Sequence, residues 1–388
     1  MKLIDRPLYL NKILKHKNNR TITALTGVRN TGKSILLKNF YQRLIDSGVI
    51  SDNIIQINLE SAQFNYMTTG AELYDFIKSS ISGNDKIYLL IDEIQRLKNW
   101  QSALVSLSNE FEFEIDIYIT SSGNLPNENL NQPINLQEIQ ILPMSFKEYL
   151  KFNNLSIESA QDNLNDYMIN GGMFANENAV RNLFFSTLAQ DVFAVNKIAD
   201  AELMMSLIKI LILEMGNIIS FNSISKKLAA NDKKPSAVQT IELYIKMLIN
   251  AKLFYAVPVF DVISGSNLVR YAKYYPVDLS FCNLFTNVEH LRKIKILENI
   301  VYFELLRLGV KVTACRIGKK NTVFLAETED NKIYIQVTDT LTKLHYKLSP
   351  LHSIKNHYSK WIITLDEEPL QFNEGIRIIN IIDFLLDE

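Results

Sequence analysis

The stretch Gly27-Val28-Arg29-Asn30-Thr31-Gly32-Lys33-Ser34 constrains this chain more than any other, because it completes the pattern G-x-x-x-x-G-K-[ST] in a context that gives the pattern a physical role. An apolar run, Thr21-Ile22-Thr23-Ala24-Leu25-Thr26, precedes it, and a helical pattern, Ile35-Leu36-Leu37-Lys38-Asn39-Phe40, follows. Strand, glycine-rich bend and helix in that order bring backbone N–H groups and a helix N-terminus onto one anion. A second apolar run, Ile87-Tyr88-Leu89-Leu90-Ile91, ends in Asp92-Glu93. Together the two motifs predict a nucleotide-binding site at the carboxyl ends of buried parallel strands.

Each residue type suits a part in that chemistry. Gly27, Val28, Arg29, Asn30, Thr31, Gly32, Lys33, Ser34 and Ile35 are the candidate phosphate cradle, with Gly27 and Gly32 permitting backbone conformations that a side chain would block. Lys33 reaches the β/γ oxygens as a point charge, and Ser34 and Asp92 are the candidate Mg2+ ligands. Glu93 is placed to act as general base toward the attacking water, and Lys33 and Asn124 complete the candidate catalytic set. Plainer readings stand beside two of these. Glu93 also suits the start of the next helix as a solvated acid, and Asn124 suits a turn in Ser121-Ser122-Gly123-Asn124. The Arg29 side chain is expected to be solvated rather than turned to the phosphates.

Length and charge set outer limits. At 388 residues the chain should form two or three domains. A formal charge of −1 argues against a strongly cationic nucleic-acid coat and leaves room for a local basic patch. Cys282 and Cys315, the only cysteines, are too few for a disulfide framework and fit a reducing cytoplasm. No apolar stretch reaches membrane-spanning length, and the segment Met1–Pro7 is not expected to be a leader peptide. His352 and His357, five apart, do not stack on one helix face, so no zinc site is expected.

Residues 1–150 alternate buried strands with helices, which predicts a three-layer α/β domain around a parallel sheet. Strands are predicted at 21–26, 53–59, 86–92, 115–120 and 136–142, and helices from Ile35, over 71–81 and over 97–110, the last with Trp100, Leu104 and Leu107 on one face. Pro143-Met144-Ser145-Phe146 marks a boundary. Residues 151–285 are expected to form a helical linker and then a winged helix, with helices 220–228 and 237–250, a turn at 231–235, strands 253–260 and 268–275, and Ile263-Ser264-Gly265-Ser266 as the wing. Residues 286–388 read as a further α/β domain: helix 291–308, strands near 310–317, 322–327 and 332–338, helix 349–357, strand 360–365 and a last element at 376–382.

In an ordered set of segments the chain resembles a family of prokaryotic AAA-type ATPases. The segments are Leu8-Tyr9-Leu10, Thr26–Ser34, Leu90–Gln95, Ile117–Ser122, Leu142–Tyr149, Gly171-Gly172, Tyr274–Leu279, Leu297–Leu306 and Tyr334–Val337, spanning essentially the whole chain. The resemblance implies a phosphate-loop domain that binds ATP with Mg2+, a winged-helix middle and a C-terminal domain similar to restriction-endonuclease-like folds. It implies no particular client. The preference for ATP over GTP comes from the resemblance, and no Asn-Lys-x-Asp base-reading motif speaks against it.

Three departures from the family pattern bear on function. Where the family has Thr-Gly-Ser-Asn, this chain reads Thr120-Ser121-Ser122-Gly123-Asn124, which displaces the amide by one residue. Where the family has Ser-Gly-Arg-Tyr, Ile134-Asn135-Leu136 stands, without the arginine that would stabilise charge on the departing phosphate. In the C-terminal domain Val323 stands where a metal-binding Asp belongs, the next strand reads Gln336-Val337-Thr338, and Glu298 and Glu304 do not hold a metal alone. The expectation is a slow or partner-regulated ATPase with an inactive nuclease-like domain. The alternative is a nucleotide-gated module with little turnover that binds a protein, a second copy of itself or DNA; no membrane partner is expected. DNA would meet Lys226, Lys227, Lys233, Lys234, Arg270 and Lys273 around the winged helix through its phosphates. The presumed recognition helix Ala237–Lys246 offers few groups to base edges, so packing is the favoured role of that module.

Overall fold

The computed structural model describes residues 6–17, 21–81, 83, 85–110, 114–125, 135–173, 176–230, 237–318, 321–367 and 371–387. The turn at 231–235 with Lys233 and Lys234, Ile134, and Met1–Asp5 lie outside them. The chain divides into two compact units, Met1–Ile141 and Leu142–Glu388.

The first unit follows its apolar patterning. Helix α1 (Pro7–Lys15) precedes β1 (Ile22–Thr26) and α2 (Lys33–Asp46); β2 (Ile54–Asn58) and α3 (Gly70–Ser80) follow, then β3 (Ile87–Asp92) and α4 (Trp100–Glu110), then β4 (Ile115–Ser121) and β5 (Leu136–Gln140). Among the described residues the strands form one sheet of order β2-β3-β4-β1-β5 with every pairing parallel. β1, β3 and β4 are buried along their whole length, which is why they read as unbroken apolar runs rather than as alternation. One face of the sheet packs Ala24, Leu89 and Ile119 against Leu73, Ile77, Trp100, Leu104 and Leu107, so the predicted apolar face of α4 is the buried one. The other packs Leu25, Leu90 and Tyr118 against Tyr9, Ile13, Leu36 and Phe40. Each large side chain buried this way contributes about 1.5–3 kcal/mol.

The second unit starts where the sequence marks a boundary. Ser145 and Glu148 form a capping box that opens α5 (Phe146–Asn153). Then come α6 (Ala160–Asn170), α7 (Glu177–Thr187), α8 (Ala201–Leu213), a short β6 (Ile219–Ser220), α9 (Phe221–Ala230), α10 (Val238–Asn250) and a hairpin of β7 (Phe254–Asp261) and β8 (Ser266–Pro276). α11 (Lys293–Arg307), β9 (Lys311–Ile317), β10 (Asn321–Glu327), β11 (Lys332–Val337), α12 (Leu344–His352), β12 (Ser359–Thr364), β13 (Phe372–Asn373), β14 (Ile376–Asn380) and α13 (Ile381–Leu386) complete it.

The expected division at residue 285 falls within one sheet. β7 pairs in parallel with β9, Val259, Phe260 and Asp261 lying opposite Ala314, Cys315 and Arg316, and the described strands run β13-β14-β12-β11-β10-β9-β7-β8-β6. Asp261 secures the join: it accepts from the N–H groups of Ile263 and Ser264 in the hairpin turn and from Arg316 Nε at 2.7 Å. The Ser264 amide and Arg316 hold its carboxyl below the ordinary range. The helix predicted at 349–357 begins earlier, at Leu344, because Leu348 and Leu351 pack into the core beside Tyr334 and Ile362; Pro350 rides in its last turn. The element predicted at 376–382 breaks at Asn380, whose side chain accepts from Ile382 N at 2.7 Å and caps α13.

Several segments of the family pattern meet in this unit. Met144 N donates to Gly172 O at 3.1 Å, Tyr167 Oη to Met144 O at 2.8 Å, and Arg307 Nη1 to Pro143 O at 3.0 Å. Gly172 N donates to Asp278 Oδ2 at 2.7 Å, across 106 positions of sequence, and burial raises the Asp278 carboxyl above its usual range.

Candidate functional site

β1 ends at Thr26, and the chain leaves the sheet through Gly27 at φ +152°, where a Cβ would collide with the carbonyl oxygen of Ile141. Only glycine permits that approach. Gly32, at φ +89°, is the left-handed N-cap of α2. The loop between them is held by its own chain and by a residue from α1's start. Thr31 Oγ1 donates to Val28 O at 3.0 Å, and buried Arg6, lying 4.5 Å from the Tyr9 ring centroid, donates from Nη1 to Thr31 O at 2.9 Å. Lys33 is 3% exposed, and its Nζ donates to the carbonyls of Gly27 at 2.9 Å and Val28 at 3.0 Å. The first N–H groups of α2, those of Lys33, Ser34 and Ile35, have no partner within the helix, so they and the helix dipole face whatever fills the loop. Arg29, expected to be solvated, is instead only 17% exposed and ion-paired at 3.3 Å to Glu60, which Arg96 also meets at 3.1 Å.

The acids stand two strands away. β1 and β3 both flank β4, with Thr26 opposite Ser121 and Ile91 opposite Ile119. Two strand spacings put the loop and the acids about 10 Å apart at the same end of the sheet. Asp92 and Glu93 are both buried. Thr120 Oγ1 donates to Asp92 Oδ1 at 2.5 Å and accepts from Glu93 N at 2.8 Å, so one hydroxyl on β4 fixes both acids. Glu93 takes a left-handed φ of +60°, an uncommon conformation for its type that concentrates at functional sites. Its burial removes the reading as a solvated helix-start acid. Glu93 Oε2 accepts from Gln95 Nε2 at 2.6 Å, and the same nitrogen donates to Ser122 Oγ at 2.9 Å. Asn124 lies beyond β4 and is exposed, and Ser34 is half-buried in the first turn of α2.

Arg6, Thr120 and Gln95 escape a reading of the sequence. Nothing local marks Arg6 as support for a loop 25 positions on. Thr120 and Gln95 lie inside segments of the family pattern, but their contacts arise only when β3 and β4 pair.

Among the described residues, no group of three His, Cys, Asp or Glu could cage a metal. Mg2+ at a phosphate loop does not need one, since it keeps waters and takes one or two protein oxygens beside phosphate oxygens. The Ser34 hydroxyl and the Asp92 carboxylate, whose Oδ2 receives no hydrogen bond among the described residues, match that donor set.

The second unit holds another acid–lysine group. Lys273, 1% exposed on β8, donates to Glu298 Oε2 at 3.0 Å and to Thr322 Oγ1 at 2.9 Å. Tyr275 Oη at 3.1 Å and Lys295 Nζ at 3.2 Å also donate to Glu298 Oε2. Burial pushes the Lys273 ammonium down to about 8 against the pull of Glu298. Burial opposes charge on Glu298 too, but the two lysines hold it below its usual range. Lys273 was expected among the cations around the wing; it turns inward because Glu298 on α11 supplies a buried counter-charge. Val323 lines the same space, where the family pattern has a metal-binding Asp. Of the other cations expected there, Lys226 and Arg270 are exposed and Lys227 pairs with Glu214 at 2.6 Å.

The family profile of the AAA domain matches residues 19–150, and that of a domain of unknown function matches residues 161–292. An uncharacterized protein of Haemophilus influenzae is 30% identical with 99% of each chain aligned. An uncharacterized protein of Methanocaldococcus jannaschii is 26% identical over 79% of this chain and 70% of its own. A solved Walker-type ATPase of Pyrococcus abyssi shares the fold, with a TM-score of 0.50 over 73% of this chain and 95% of that one at 13% identity. Among the described residues no helix is long and apolar enough to cross a membrane.

Proposed function

The chain belongs to the AAA-type ATPases, and from that premise we propose that it binds ATP with Mg2+ and hydrolyses it slowly, under the control of a partner. The observation that carries this reading is the grip on Lys33. Its ammonium lies in the mouth of the loop on the carbonyls of Gly27 and Val28, which are neutral. Exchanging them for β/γ-phosphate oxygens trades dipoles for full charges, and charge-assisted bonds are about twice as strong as neutral ones. The N–H groups at the start of α2 receive the remaining phosphate oxygens. Ser34 and Asp92 would hold Mg2+, which neutralises phosphate charge when bound. Thr120 keeps Asp92 and Glu93 in register, and Glu93 accepts a proton from the attacking water.

The reading of slow turnover rests on a departure from the family pattern. Asn135 and Leu136 stand where the family pattern has an arginine, and Arg29 and Arg96 are engaged with Glu60. An arginine from a partner or a second copy would raise the rate. The same lack supports a second reading, in which ATP occupancy gates binding of a protein partner and hydrolysis only resets the gate. DNA contact through residues 220–275 has less to rest on, since Lys273 is buried. We read residues 1–150 as the ATPase domain, 151–285 as a helical linker with a winged helix, and 286–388 as a restriction-endonuclease-like domain without nuclease activity. Two buried free thiols, Cys282 and Cys315, suit a cytoplasmic protein.

Phosphate release tests the catalytic part. Glu93→Gln should bind ATP as wild type does and turn over about 100-fold more slowly. Equal turnover of the two proteins would refute the assignment of Glu93.

A further inference from the structure

We infer that Gln95 is a positioning residue for the attacking water and acts as a pair with Glu93. The inference rests on reading Glu93 as the general base. Gln95 sits in the single turn Ile94–Arg96 that follows Glu93, and its Nε2 bridges Glu93 Oε2 and Ser122 Oγ. The orientation of the amide follows from its partner. A carboxylate only accepts, so the amide nitrogen, and not the amide oxygen, is the atom that meets Glu93 Oε2. That oxygen, Oε1, is shut from solvent and has no hydrogen-bond partner among the described residues. A buried amide oxygen without a donor is uncommon in a native fold and points to a donor that arrives with the substrate. Glu93 Oε1 receives no hydrogen bond among the described residues either, the Gln95 amide being on Oε2.

Two acceptors are what a nucleophilic water requires. Its two O–H groups donate, one to Glu93 Oε1 and one to Gln95 Oε1, which turns an oxygen lone pair toward the γ-phosphorus. The new bond forms between the water oxygen and phosphorus. The bond from phosphorus to the β–γ bridging oxygen breaks, its electron pair leaving with ADP, and the water proton passes to Glu93 Oε1. Gln95 takes no proton and changes no charge. Its amide oxygen is buried, whereas Asn124, the other amide of the candidate set, is exposed past β4.

The test is a double-mutant cycle in steady-state ATP hydrolysis by the full chain. Gln95→Leu keeps the bulk and removes both polar ends. It should lower kcat about 10–100-fold with KM and ATP affinity unchanged. In a Glu93→Gln background the same change should cost less than 3-fold, because both residues act on one water. A structural role would lower affinity or melting temperature and would add to the Glu93→Gln loss. Ser122→Ala removes one anchor of the amide, leaves Gln95 in place and should lower kcat by about 3–10-fold. That variant serves as the test if Gln95→Leu does not fold. Wild-type or faster turnover by Gln95→Leu, or full additivity, overturns the inference while Glu93 stands. If Glu93→Gln itself turns over at the wild-type rate, the base assignment fails first.

Discussion

Lys33 and Lys273 make an instructive pair. Both are almost fully buried, and both donate through Nζ to two oxygens. Lys33 donates to two main-chain carbonyls of its own loop, at the start of a 14-residue helix. Lys273 donates to a carboxylate and a hydroxyl inside a packed unit, with a second lysine and a tyrosine on the same carboxylate. A carbonyl yields to phosphate at a gain in charge–charge attraction. A buried carboxylate does not yield its ammonium, because either charge left alone meets the full cost of desolvation. On the proposed reading the first lysine changes partners when ATP binds, while the second holds two strands and a helix together. Residue type and burial alone do not separate the two roles; the charge of the partner does.

The two lysines should fail differently when removed. Lys33→Ala should weaken ATP binding by about 100-fold or more, since each tenfold step is about 1.4 kcal/mol and charge-assisted bonds are lost. Its melting temperature should stay within a few degrees of wild type, read by calorimetry. Lys273→Met should leave ATP affinity unchanged and lower unfolding stability by about 3–5 kcal/mol in urea titration, because Glu298 is left with less counter-charge in the interior. Adding Glu298→Leu to Lys273→Met should recover most of that loss; a double variant no more stable than the single would place the cost in packing instead. A smaller effect is the pH dependence of the wild type. With Lys273 at about 8 in the folded chain and about 10.4 unfolded, the unfolded chain holds the extra proton between those values. Stability from this group therefore rises with pH across that window, and Lys273→Met should lack the rise. The smallest expected signal is DNA cleavage with Mg2+ or Mn2+, which should be undetectable. Cleavage abolished by Gln336→Ala would restore a nuclease role to the second unit.

What the sequence disclosed, and what it hid, follows the range of the forces involved. The loop and the acids of β3 were legible because their chemistry is local: glycines at a bend, a lysine at a helix start, acids after an apolar run. That the first unit's sheet is parallel also follows from strand–helix alternation. Arg6 and Thr120 were hidden because each acts through a partner 25 or 28 positions away. Lys273 was misplaced because a lysine in a strand near a turn looks solvated until Glu298, 25 positions on, is seen to face it. The sheet that runs across residue 285 was hidden because parallel pairing between β7 and β9 leaves no local mark, while Asp261 and Arg316 become partners only once those strands meet.

The most direct measurement is calorimetric titration of the wild-type chain with ATP in the presence and absence of Mg2+. One saturable site per chain, tighter with Mg2+ and competed by ADP, is the result expected if the loop of Gly27–Ser34 gathers a triphosphate. No saturable heat at millimolar ATP, or binding that Lys33→Ala retains in full, would contradict it.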